Sequence, residues 1–229
     1  MQGIRKAELD LARRMHCASA AVVVGVLLLG AASSMAETKR IYFVGNSVTD
    51  TINYTGLQHM AESQGHTQPW GRHMIPGAPL DWIWNHPADG FQQSPYGYYP
   101  NALPNYTWDV LSLQPFDRHI TGSDGDLQRC KDFINLALNN TANRNMQVYV
   151  YSRWPRRDSN GALNYNTQWD KTYTGGWDGT NETRDFFQDL LVALRGQNLG
   201  LNKPIFLVPV GDVLYELNNR MHNGQVPGY

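Results

Sequence analysis

Short apolar runs recur along the chain at residues 41–44, 110–113, 148–151 and 205–210, with a weaker one around 72–75. Their length and their β-branched and aromatic content suit strands buried on both faces of a parallel sheet. Helical spacing lies between them, at 57–64 (within a stretch from about 51 to 64), at 127–138, at 182–194 and at 213–221. In the third of these, Phe186, Phe187, Leu190, Leu191 and Leu194 fall on one face, as a helix packed against a core requires. Strands alternating with helices predict βαβ units and a three-layer α/β/α sandwich around a central parallel sheet.

Two insertions interrupt the alternation, at about 79–107 and 154–181. Both are too long and polar for simple connectors, and their aromatic content argues against disorder. Trp and Tyr beside Asn, Gln and Asp can stack on sugar faces and bond hydroxyls, which suggests a carbohydrate-bearing substrate. The same rings could equally pack the loops onto the body.

The amino-terminal region departs from this pattern. Arg5, Lys6, Arg13 and Arg14 precede an apolar run at 18–32, and Ser34-Met35-Ala36 offers small residues where a signal peptidase reads. The expectation is a signal peptide over 1–36, cleaved before Glu37, with translation starting at Met1 or Met15. The product is then secreted or periplasmic. The uncharged run is shorter than the ~20 apolar residues of a spanning helix, so no membrane association is expected after cleavage. Residues 37–229 are enough for one domain. The leader carries four of the 19 Lys and Arg and two of the 20 Asp and Glu, leaving 15 basic against 18 acidic side chains. That balance does not attract nucleic acid. Cys17 leaves with the leader, so Cys130 has no partner for an intramolecular disulfide, and its helical setting reads as a structural thiol.

The candidate chemistry lies where the first strand ends, in Gly45-Asn46-Ser47-Val48-Thr49-Asp50. A serine between the carboxyl end of a strand and the amino end of a helix sits where open α/β sheets place ligands. Its hydroxyl could attack a carbonyl while its own N–H holds the oxyanion. Ser, Thr, Asn and Asp are also the usual N-cap residues, so the same turn suits a simple helix cap.

Gly45-Asn46-Ser47-Val48-Thr49-Asp50 resembles the nucleophile block of the SGNH/GDSL hydrolases, with Asn in place of the usual Asp before the serine. Pro76-Gly77-Ala78 falls where that family carries a glycine whose N–H is the second oxyanion donor. The third strand ends in Leu113-Gln114, where most members carry an Asn as third donor and one bacterial subgroup a Leu-Gln ending. The resemblance implies a flavodoxin-like sheet and a secreted ester hydrolase of the carboxylesterase or acetylesterase type, possible on carbohydrate acyl esters. Ser47 is then the nucleophile, and Ser47, Gly77 and Gln114 form the oxyanion hole. No cofactor or metal is implied, and the partner is a small-molecule or carbohydrate ester.

The family takes its base from an Asp-x-x-His block near the carboxyl terminus, and none of the 229 residues form one. Nor does the pattern supply a further helix to cover the sheet edge. The chain therefore reads as a carboxyl-terminally incomplete SGNH-like domain, marginal in folding and low in turnover by itself. Within it, His222 lies three residues after Asn219, and His73 and His119 adjoin the second and third blocks. Asp50, Asp81, His73 and His86 show no recognised metal-ligand spacing. The other function class is a non-catalytic carbohydrate-binding protein, with Ser47 as a cap and the Trp-rich loops carrying the function.

Overall fold

A six-stranded sheet in the order β3-β2-β1-β4-β5-β6 organises the protein. Its computed structural model describes residues 36–154 and 168–228. The strands are β1 (Ile41–Gly45), β2 (Trp70–Met74), β3 (Phe91–Gln92), β4 (Val110–Leu113), β5 (Gln147–Tyr151) and β6 (Phe206–Val208). All neighbours pair in parallel except β3, which runs antiparallel to β2 at the edge. The helices are α1 (Tyr54–Ser63), α2 (Leu80–Asn85), α3 (Tyr99–Asn105), α4 (Asp126–Leu138), α5 (Arg184–Arg195) and α6 (Val210–His222). This is the mixed α/β architecture that the alternation predicts. The expected leader lies outside the described residues apart from Ala36, and among the described residues no helix is long and apolar enough to cross a membrane.

Side-chain alternation divides the sheet into two unequal faces. Tyr42 and Val44 of β1, Leu111 and Leu113 of β4, and Val148 and Val150 of β5 point into the main core. There they meet Leu80 and Ile83 of α2, Tyr99 and Leu103 of α3, Phe133 and Ile134 of α4, and Phe186, Phe187 and Leu190 of α5. Cys130 lies in the same core, fully buried and free, and burial pushes its thiol well above its usual range.

The opposite face carries α1, where the Tyr54 ring packs 4.9 Å from Phe43 and stacks 4.7 Å from Trp70. Asn53 caps this helix by accepting the Gly56 N–H at 2.8 Å. Beside α1 the sheet stays open. Ile41, Val110, Tyr149, Tyr151 and Val208 line an apolar trough of about 560 Å³ that reaches Leu57.

The first insertion is not an open loop. It forms α2, β3 and α3, and most of its aromatics are core: Trp84 stacks on Tyr99, both meet Phe133, and Trp108 is buried against Tyr42 and Tyr96. These rings pack the insertion onto the body of the protein. Trp82 remains half exposed, with its ring stacked 3.9 Å from His86. Of the second insertion, 155–167 lies outside the described residues, Trp169 is buried and Trp177 is 63% exposed.

Candidate functional site

β1 is the strand at which the chain order reverses, with β2 on one side and β4 on the other. Loops leaving the carboxyl ends of such neighbours splay apart and open a crevice, the usual ligand position in an open α/β sheet. Ser47 follows β1, Gly77 follows β2 and Gln114 follows β4. Register brings the three segments to one edge, because Gly45 pairs with Met74 and Val44 with Leu113. The ladder continues one step further through Ile75 N–H to Gly45 O at 3.2 Å and Gln114 N–H to Val44 O at 2.9 Å.

Ser47 is exposed, and neither its hydroxyl nor its N–H is hydrogen-bonded to a described residue. It does not cap a helix: α1 begins seven residues later and takes Asn53 as its cap. The turn is held by its buried neighbours instead. Asn46 accepts the Val48 N–H at Oδ1 (2.9 Å) and donates from Nδ2 to Ala78 O (3.1 Å), tying the serine turn to the glycine turn. Only an amide does both. A carboxylate at this position would turn a lone pair toward the Ala78 carbonyl, which accounts for Asn where the resemblance expects Asp.

Gly77 is exposed in the left-handed region at φ 69°, and its N–H is likewise unpaired among the described residues. No atom lies within 4 Å of where a Cβ would stand, so backbone conformation and not space selects glycine here. Gly45 is selected by space. Its Cβ would stand 2.0 Å from Thr49 Oγ1 and 2.9 Å from the Gln114 Cβ.

Gln114 departs from its expected role as third oxyanion donor. It is fully buried, its Oε1 accepts the Asn46 N–H (3.0 Å) and the Thr49 hydroxyl (3.2 Å), and its Nε2 donates to Pro115 O (2.8 Å). The amide cannot be flipped, because an N–H faces one end and a carbonyl the other. Gln114 therefore supports the Ser47 turn from below, and the N–H groups left open at the edge are those of Ser47 and Gly77. Asn46 and Thr49 complete this support. The sequence signalled them only as polar residues beside the serine.

The histidines stand elsewhere. His73 is buried on β2, donating from Nε2 to Asp89 O (2.9 Å) and accepting the Tyr99 N–H at Nδ1 (3.4 Å). Burial pulls it down to about 4, so at neutral pH it is an uncharged structural ring. His119 packs 4.2 Å from the Trp177 ring, and His222 donates from Nδ1 to Asn218 O on its own helix (2.8 Å). No described histidine hydrogen-bonds to Ser47. Asp50 pairs with Arg72, Asp81 with Arg129, and His86 donates to Trp82 O. Among the described residues no group of three or more His, Cys, Asp or Glu could hold a metal.

No family model and no curated protein matches this chain. One solved structure, a DUF4886 family protein from Bacteroides uniformis at 1.50 Å resolution, is similar at 17% identity over 75% of this chain and 67% of that one, with a TM-score of 0.44.

Proposed function

We propose that the protein is a serine ester hydrolase acting through Ser47, with an acyl ester on a carbohydrate as the substrate class. The observation that carries this reading is the exposed Ser47 at the switch point of the sheet, with the unpaired N–H groups of Ser47 and Gly77 on two turns joined by Asn46. In this mechanism Ser47 Oγ attacks the ester carbonyl carbon and gives up its proton to a base. The two N–H groups hold the carbonyl oxygen as it becomes negative. Collapse expels the alcohol, which takes a proton, and water then releases the acid and restores the serine.

The test uses a fluorophosphonate ester, which needs only the nucleophile and the oxyanion donors. Ser47 is expected to be modified, slowly at neutral pH and faster as hydroxide replaces the base, and peptide mapping should place the adduct on residue 47. The Ser47→Ala variant should take up no label there. Modification of Ser47 no faster than of the buried Ser112 would overturn the reading. It would favour instead a non-catalytic carbohydrate-binding protein on the same fold, a reading supported by the lack of any described histidine at Ser47.

A further inference from the structure

Trp177 is a large exposed ring beside a turn closed by hydrogen bonds. The Asp178 carboxylate accepts hydrogen bonds from the Thr174 hydroxyl (2.8 Å), the Thr180 hydroxyl (2.7 Å) and the Thr180 N–H (3.0 Å). Gly175 and Gly179 take positive φ on either side. The same hydrogen bonds, from the Thr180 and Thr174 side chains first, pull Asp178 down to about 2, so the carboxylate is charged at physiological pH.

The neighbourhood is built from two loops that are tied together. Tyr173 accepts the Ile120 N–H at its hydroxyl (3.1 Å), joining the loop after β4 to the segment that carries Trp177. From the first loop, His119 sets its ring 4.2 Å from Trp177, and the Arg118 guanidinium lies 5.8 Å from the indole centre. Arg118 Nε and His119 Nδ1 are both enclosed without a hydrogen-bond partner. Two unmet polar atoms on consecutive residues beside one exposed indole are consistent with a place that takes a polar guest. Next to the ring lies a cavity of about 540 Å³ bounded by His119, Thr121, Tyr173, Gly175 and Asp189.

We infer that Trp177, Arg118 and His119, with the adjoining cavity, form a subsite for an uncharged pyranose unit of an oligosaccharide. The indole offers a flat apolar face for the C–H side of a sugar ring. His119 and Asp189 line the adjoining cavity, where the Asp189 carboxylate can accept from sugar hydroxyls, and the Arg118 guanidinium stands beside the indole. Charge selects a neutral sugar over an acidic one. Asp189 lines the cavity and Asp178 follows Trp177 in the chain, so a uronate carboxylate placed there would meet like charge.

The inference rests on the ester-hydrolase reading only for the acyl group that the sugar would carry, since binding itself needs no nucleophile. It is tested by calorimetric titration of the full chain with cellohexaose, xylohexaose and mannohexaose, and with hexagalacturonate as the acidic probe. At least one neutral oligosaccharide is expected to bind, with Trp177→Ala weakening it about tenfold or more, as loss of one ring-stacking contact predicts. Because Trp177 is exposed, this variant should keep the parent's melting temperature. Ser47→Ala should bind as the parent does, so a failure of esterase chemistry leaves this result standing, and loss of binding leaves Ser47 labelling standing. No binding of any neutral probe up to about 10 mM, or equal binding by Trp177→Ala, overturns the subsite. Equal or tighter binding of hexagalacturonate overturns the assignment to an uncharged sugar.

Discussion

Gln114→Ala is expected to destabilise the protein by about 2–4 kcal/mol and to slow phosphonate labelling of Ser47 at the same time. The substitution strips the acceptor from the buried Asn46 N–H and the Thr49 hydroxyl, leaves Pro115 O without its donor, and opens a void under the serine turn. For a domain of this size the loss lowers the melting temperature by roughly 5–15 °C. Gln114→Glu separates support from direct catalysis. Its carboxyl keeps an acceptor toward Asn46 and Thr49, and when protonated it also restores a donor toward Pro115 O. Labelling by Gln114→Glu should therefore exceed that of Gln114→Ala and improve toward acidic pH relative to the parent. Equal rates for the two variants at every pH would show that Gln114 acts through its Nε2 on the reacting oxygen.

Asp126→Asn is expected to stabilise the protein, and by more as the pH rises. Asp126 opens α4 with its carboxyl fully buried, and neither oxygen has a hydrogen-bond partner. Burial pushes it up to about 8, against the pull of Arg118 and with a further push from Asp117, Asp81 and Asp124. An unfolded Asp ionises near pH 4, so between about 4 and 8 the unfolded chain has released a proton that the folded protein retains. Stability from this group is complete below that window, falls through it and is level above it. The isosteric amide carries no such proton. The gap between variant and parent in urea denaturation should be near zero at pH 4 and grow to roughly 3–5 kcal/mol at pH 9. A gap that stays constant between pH 4 and 9 would mean that the carboxyl ionises inside the folded protein at its ordinary pH.

The sequence pointed to Gln114 without its place under the serine turn, and it did not point to Asp126 at all. The runs at 110–113 and 148–151 become β4 and β5 with at most one residue's difference, because buried parallel strands are apolar throughout and announce themselves. The run at 205–210 is shorter as a strand, since Pro209 ends the ladder and Val210 already starts α6. β3 has two residues on an exposed edge and thus no periodicity to read. The first insertion concealed its role for another reason. Its backbone is tied to the body by Asn143, which accepts the Trp108 backbone N–H and donates to the Leu103, Tyr106 and Ala137 carbonyls, a hub that no local pattern predicts. At the site, turn chemistry pointed to the Ser47 N–H in Gly-Asn-Ser, and the family resemblance alone pointed to the Gly77 N–H in Pro-Gly-Ala. The end of the Gln114 amide that faces the serine depends on the Asn46 N–H opposite, which is a matter of tertiary position.

The trough beside α1 has a thermal consequence. Heat capacity rises on unfolding in proportion to the apolar surface newly given to water, and Ile41, Val110, Tyr149 and Val208 are already partly in water when the protein is folded. Each of these side chains therefore adds less to the heat capacity of unfolding than a fully buried one on the opposite face, such as Leu111 or Val150.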